Sequence, residues 1–119
     1  MAEVVDLDAL RPTEITVKLG GNEIDVSYMP CGITFEVDEI VKRLTAYDMA
    51  TVQKGGKETD EVFDIALELC SVFCSHKHPE MTVKWFEENT DPLQVNRLAT
   101  IIQETLARAY QGAEAYSGN

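Results

Sequence analysis

The chain has 119 residues, of which 45% are hydrophobic, which fits one globular domain and excludes a chain that is disordered throughout. Ten Lys and Arg residues stand against 21 Asp and Glu residues, so the net charge is −11 at neutral pH. Because nucleic acids and anionic lipids are themselves negatively charged, we expect protein partners, no nucleic acid and no membrane.

The cysteine count and the N-terminus indicate where such a protein works. Three cysteines, Cys31, Cys70 and Cys74, are an odd number and predict free thiols in a reducing cytoplasm. No stretch approaches the roughly 20 apolar residues of a membrane span, and the acidic N-terminus lacks the basic start of a signal peptide. We therefore expect a cytoplasmic protein.

The first structural signal is a hairpin. Residues 1–13 are predicted to be a flexible lead-in, whose Leu7 and Leu10 either pin it to the body or bind a partner. Polar and apolar residues then alternate over 14–19 and again over 23–28, on either side of a Gly-Gly-Asn turn, which predicts a β-hairpin. Its unpaired edge would invite pairing with another chain. The expected apolar face comprises Ile15, Val17, Leu19, Ile24, Val26 and Tyr28.

Two helices are predicted next. Thr34 is expected to cap a helix of about ten residues, since the apolar residues that follow recur at helical spacing. Its expected buried stripe is Phe35, Val37, Ile40, Val41 and Leu44. The polar, Gly-rich stretch 46–59 predicts a flexible loop. Residues 60–76 are apolar nearly all round, which predicts a buried central helix that Pro79 ends.

The last third predicts a short helix over 81–88 and then a long one. Asp91 as N-cap, Pro92 in the first turn and Gln94 at the third position mark the start of the long helix. Its stripe is Leu98, Ile101, Ile102, Leu106 and Ala109. The expected fold class is therefore α+β, an N-terminal β-hairpin followed by a bundle of about four helices. We expect one domain over 14–111 and a flexible tail over 112–119.

One group of residues resembles a metal site. Cys70, Cys74 and His78 share a helical face by their spacing, and thiol with imidazole is a zinc ligand set. Both cysteines, however, lie in an apolar segment, and Pro79 disturbs the turn that His78 would need. We predict no metal.

Catalytic and cofactor motifs are also weak. Cys31 has no neighbouring cation in sequence to lower its pKa, and neither Gly-rich run matches a phosphate-binding loop. The carboxylate pairs Asp38-Glu39 and Glu87-Glu88 are typical of a solvated helix face. We predict no catalytic residue, no cofactor and no enzymatic activity.

A protein-binding surface is the stronger hypothesis. The apolar stripe of the last helix and the aromatic pair beside it exceed what one hairpin and one short helix obviously cover, and aromatic residues are common interface anchors. The alternative is that Trp85 is a core residue. The expected contact residues are Trp85, Phe86, Leu98, Ile102 and Leu106.

The layout as a whole resembles a known family. The lead-in 8–12 precedes the hairpin 17–26, and only helices follow; residues 81–91 (MTVKWFEENTD) then lead directly into the amphipathic helix Leu93–Ala109. Over roughly residues 8–110 this resembles the tail assembly chaperones of long-tailed bacteriophages.

The resemblance implies a function. Such proteins bind the tape measure protein and keep it soluble in the host cytoplasm while the tail tube assembles. The resemblance further implies self-association into a homo-oligomer and contact with the tail tube protein. The alternative is a small structural tail or connector adaptor of the virion.

Overall fold

A computed structural model describes residues 3–47 and 57–117 of the chain. The elements in order are a 3-10 turn (Leu7–Leu10), β1 (Thr16–Leu19), β2 (Asn22–Asp25), α1 (Cys31–Thr45), α2 (Lys57–Ser75), α3 (Val83–Asn89) and α4 (Pro92–Ser117). This confirms the α+β class, with an N-terminal hairpin followed by four helices. Most of the predicted loop, residues 48–56, lies outside the described residues. No described helix is both long and apolar enough to cross a bilayer.

The hairpin has the register that the alternating pattern predicts. Val17 pairs with Ile24 and Leu19 with Asn22, which leaves a two-residue turn of Gly20 and Gly21. Both glycines have positive φ, 57° and 81°, as the tight turn that matches strand twist requires. Leu19, Ile24 and Val26 are buried, whereas the expected face members Ile15 and Tyr28 at the open end are exposed.

Helix α1 starts earlier than expected. It begins at Cys31 after the N-cap Pro30, and the hydroxyl of Thr34 donates to the carbonyl of Pro30, so Thr34 is inside the helix and is not its cap. Phe35 was expected in the buried stripe, but its side chain is 83% exposed. The face that packs is centred on Val37 and Ile40, and Phe35 lies outside it.

Helix α2 is the central element that its composition predicts. It packs against α1, α3 and α4, and its residues Leu69, Cys70 and Cys74 are almost completely buried. The core also takes Met81 and Phe86 from the α3 region, together with α4 residues. The α4 contribution is Val95, Leu98, Ala99, Ile102 and Leu106.

Helix α4 has the predicted start and a later end. The backbone N–H of Asp91 donates to Gln94 Oε1, and that of Gln94 donates back to Asp91 Oδ1, both at 2.9 Å, which is a reciprocal capping box. The helix then continues to Ser117 and so extends through most of the stretch expected to be a tail. At the other end, a 3-10 turn lies within the predicted lead-in, with the Asp6 carboxylate accepting the N–H of Asp8.

Two contacts fasten the hairpin to the helices. The buried hydroxyl of Thr105 on α4 donates to the carbonyl of Val26 at 2.6 Å. At the other end of the hairpin, the indole of Trp85 on α3 lies against the turn residue Gly20. A two-stranded hairpin is marginal alone, and these contacts dock its apolar face on the helices.

Candidate protein-binding surface

Four of the five residues expected on a binding surface lie inside the molecule. Phe86 and Ile102 have no exposed surface, and Leu98 and Leu106 are 4% exposed. The expectation that these side chains are available to a partner is therefore wrong for this folded chain. Helices α2 and α1 both pack against α4 and bury more of its surface than the sequence pattern revealed.

Trp85 is the intermediate case. It is half-buried and packs against the core, with its ring edge-to-face against Phe86 at a centroid distance of 5.0 Å and an angle of 83°. One side of the indole meets Gly20. Most of the Trp85 side chain therefore packs as the alternative expected of a core residue, and it joins α3 to the hairpin.

The most exposed apolar side chains lie elsewhere, on the N-terminal segment, at Phe35 on α1, and at Leu93, which lines a groove beside the hairpin. We call it the β1–α4 groove; its lining is Val17, Lys18, Leu19, Leu93, Gln94, Arg97, Leu98 and Ile101. Its volume is about 280 Å³. Leu93 is 78% exposed at one end of it, although it is a large aliphatic residue.

The groove continues along α4 past the start of β1. Leu93, Arg97 and Ile101 repeat at four-residue spacing on one face of the helix, which keeps them in one row. A second concavity begins at Arg97 and Ile101 and runs past Glu104 to Arg108, with Ile15 on the hairpin side. Leu93 lies near the end of β1 and Arg108 near its beginning, so α4 and β1 run in opposite directions.

The rim of this surface is basic although the chain is acidic. Lys18, Arg97 and Arg108 lie along it, with Glu104 as the acidic residue among them. None of the three basic side chains forms an ion pair with a described residue, whereas Lys42 and Arg43 on α1 both do. Arg108 donates a hydrogen bond to the hydroxyl of Thr105. With three basic residues and one acidic residue, the rim carries a net positive charge.

The outer edge of β1 faces no other strand. The N–H of Val26 donates to the carbonyl of Ile15 at 2.9 Å. In an antiparallel pair every second residue is hydrogen-bonded to the partner strand, so Val17 and Leu19 also bond to β2. The backbone groups of Thr16 and Lys18 therefore point away from β2. Within the described part of the chain β2 is the single strand paired with β1, so these groups are open to an added strand.

The residues considered for a metal site do not converge. Cys70 and Cys74 are buried, and burial raises the pKa of Cys70 well above its usual value and that of Cys74 to about 12, which favours the protonated thiol over a metal-binding thiolate. His78 instead lies 3.7 Å from the Glu80 carboxylate. Over residues 3–47 and 57–117 no three His, Cys, Asp or Glu side chains form a metal-binding group.

The other residues weighed for chemistry are on exposed helix surfaces. Cys31 is exposed at the first turn of α1. Asp38 and Glu39 both approach the ammonium of Lys42, at 3.1 and 3.7 Å, as in ordinary helix-surface ion pairs. Glu87 and Glu88 are exposed on α3.

Sequence reasoning missed Leu93 and Arg97 because it followed the dominant stripe of α4. A weaker signal was present: an apolar residue directly after Pro92, with Ile101 eight positions later on the same face. The row of Leu93, Arg97 and Ile101 becomes the wall of a groove only because β1 lies beside it in the folded chain.

Comparisons with protein-family models, curated proteins and solved structures found no match for this chain.

Proposed function

We propose that this protein is a chaperone of bacteriophage tail assembly, which binds the tape measure protein in the host cytoplasm and keeps it soluble. The observation that carries the proposal is the β1–α4 groove, where Leu93 is 78% exposed on a chain of net charge −11. A protein that holds an aggregation-prone client needs apolar surface to cover it and surplus charge to keep the complex dissolved. The layout of residues 8–110 supports the choice of client.

The shape of the groove suits a helical segment of the client. The stretch from Leu93 to Arg108 contains 16 residues of α4 and is about 22 Å long at a rise of 1.5 Å per residue. That length accommodates about four turns of a second helix lying alongside. An amphipathic client helix would place its apolar face on Leu93 and Ile101, with acidic side chains near Arg97.

The proposal is tested by co-expression with the tape measure protein, followed by affinity capture and measurement of the soluble client. We expect the wild-type chain to keep the client soluble and to co-purify with it. Leu93→Glu should reduce the captured client at least about tenfold, because it places a charge in the apolar contact. Leu93 is exposed in the free chain, so the fold should not change.

Phe35→Glu is the matched control, since Phe35 is also an exposed large apolar residue but lies on α1, outside the groove. It should capture as much client as the wild type. If Phe35→Glu abolishes capture while Leu93→Glu does not, the groove is the wrong surface. If the wild type captures no client, the chaperone proposal itself fails.

The alternative role as a structural adaptor makes a different prediction about particles. A chaperone acts before the tube closes around its client, so purified virions should contain no stoichiometric amount of this protein. Mass spectrometry of purified particles distinguishes the two roles. Presence at a fixed copy number per tail would favour the adaptor.

A further inference from the structure

The N-terminal segment, residues 3–10, has a composition that complements the groove. It carries exposed apolar side chains at Val4, Val5, Leu7 and Leu10, of which Val4 is 89% and Leu7 69% exposed. Glu3 precedes these residues, Asp6 and Asp8 lie between them, and none of residues 3–10 is basic. Four exposed aliphatic residues so close together form an apolar patch of the kind that marks an interaction site.

The groove complements this segment in polarity, in charge and in its open backbone hydrogen-bonding groups. Its floor is apolar, and its rim carries Lys18, Arg97 and Arg108 without ion-pair partners among the described residues. The open backbone edge of β1 at Thr16 and Lys18 is next to it and accepts an extended segment by strand addition. Residues 3–5 have no helical structure, whereas Asp6 caps the 3-10 turn that follows.

We infer that the N-terminal segment of one copy of this chain binds in the β1–α4 groove of a second copy. Its valine and leucine side chains cover the apolar floor around Leu93 and Ile101. Its carboxylates lie near Arg97 and its neighbours on the rim. Charge complementarity selects this occupant, because most of the remaining surface of an acidic chain would repel an acidic segment.

The segment's own chain holds it in a different place. The guanidinium of Arg11 lies 4.1 Å from the centre of the Tyr28 ring, and the N–H of Arg11 donates to the carbonyl of Asp8. Leu7, Asp8 and Leu10 thereby line a concavity with Tyr28 and with Arg108 of α4, at the end of the rim farthest from Leu93. Reaching its own groove would require breaking the Arg11 contact and reversing the chain at Pro12.

Such an exchange is a head-to-tail contact, with one donor segment and one acceptor groove in each copy. Contacts of this kind continue into rings or open chains unless an end is blocked. Because much of the recognition is electrostatic at an exposed rim, association should weaken as salt screens the charges. This inference concerns contacts between copies of the chain, and because the segment would occupy the same groove as the proposed client helix, the two would compete for it.

Sedimentation of the full chain over a range of concentrations tests the inference. Wild type should rise in average mass above the 13.3 kDa monomer with concentration, and less so at 500 mM than at 50 mM NaCl. A groove variant, Leu93→Glu with Arg97→Glu, should stay monomeric, as should a segment variant, Val5→Asp with Leu7→Asp. All four side chains are exposed, and circular dichroism would verify the folds. Lys84→Glu on α3, a matched charge reversal at an exposed side chain, should associate like wild type.

Mixing the two defective variants is the decisive measurement. One still has an intact segment and the other an intact groove, so an equimolar mixture should form a dimer that neither forms alone. Three outcomes would overturn the inference: a wild type that stays monomeric at every concentration, association that both variants retain, or a mixture of monomers only. Client capture by the segment variant, Val5→Asp with Leu7→Asp, is measured separately, because its groove is intact. Capture without self-association would leave the chaperone proposal standing, so the two proposals fail separately.

Discussion

The indole of Trp85 packs so closely on Gly20 that the hairpin turn has no room for a side chain. A Cβ placed on Gly20 would lie 2.9 Å from both Cη2 and Cζ2 of the ring. Gly20 also has φ +57°, a conformation that costs other residues about 1 kcal/mol or more. The same ring meets Phe86 edge-to-face, so this one contact joins the turn to the core.

Gly20→Ala should destabilise the protein by about 2–3 kcal/mol. The alanine would be strained by the left-handed backbone conformation, and its Cβ would also collide with Trp85. Gly21→Ala is the control: its φ is +81°, but a Cβ there would meet nothing within 4 Å. It should cost about 1 kcal/mol from conformation alone. Urea unfolding of both variants gives the comparison. Equal losses would show that the ring does not constrain the turn.

A double-mutant cycle isolates the contact itself. In a Trp85→Ala background, Gly20→Ala should lose at least about 1 kcal/mol less than in the wild type, since the ring it strikes is gone. Additive losses would mean that Trp85 and Gly20 are energetically independent.

Thr105→Val should destabilise the protein by about 1–3 kcal/mol. Its buried hydroxyl donates to the carbonyl of Val26, and valine would leave that carbonyl without its hydrogen bond. Thr100→Val on the exposed face of the same helix is the matched control. Thr100 bonds the carbonyl four residues back, at Asn96, as Thr105 also does at Ile101, so its loss should stay within about 0.5 kcal/mol. Thermal or urea unfolding would measure both, and similar losses would argue against a hairpin anchor at Thr105.

Phe86→Ala should cost about 3–5 kcal/mol in the free energy of unfolding, because it opens a cavity at a completely buried site. Leu93→Ala should change stability by less than about 0.5 kcal/mol, because its side chain is mainly in water. Guanidinium unfolding would measure both. The opposite order would contradict the assignment of Phe86 to the core and of Leu93 to the surface.

Alkaline pH should destabilise the protein through its buried thiols. Burial raises the pKa of Cys74 from 9.0 to about 12 and raises that of Cys70 as well, so the native state keeps these protons while the unfolded chain releases them. Stability from this source is therefore complete below about pH 9 and declines above it, by up to about 1.4 kcal/mol per pH unit for each thiol.

Unfolding free energies measured between pH 8 and 10.5 would test this slope. Cys70→Ala with Cys74→Ala should flatten it, whereas Cys31→Ala should not, because Cys31 is exposed. In native buffer a thiol-specific reagent should modify one cysteine per chain, and three after denaturation. Equal slopes in all the proteins would assign the alkaline loss to other groups.

Local structure could be predicted from sequence because its causes are local. The Gly-Gly turn, the alternation on both sides of it and the reciprocal cap of Asp91 and Gln94 depend on residues a few positions apart. The start of α1 was misplaced because Thr34 is a good cap in isolation, although its hydroxyl bonds the carbonyl of Pro30 inside the helix.

The candidate surface could not be predicted, because an apolar stripe does not reveal what covers it. Ile102 and Leu98 have the same character in sequence as Leu93, yet the first two are buried and the third is exposed. The difference arises from which face of α4 packs against α2 and α1, while the hairpin, held by the Thr105 hydrogen bond and the Trp85 contact, lies beside Leu93 without covering it.

The sequence by itself determined the elements, the acidic charge and the burial of the central helix, since composition and short-range spacing decide these properties. Only the tertiary structure decided which apolar residues remain in contact with water. That choice depends on contacts between residues as far apart in the chain as Val26 and Thr105, and periodicity within one element contains no information about them. The packing leaves Leu93 and Arg97 beside the edge of β1, and both proposals follow from that placement.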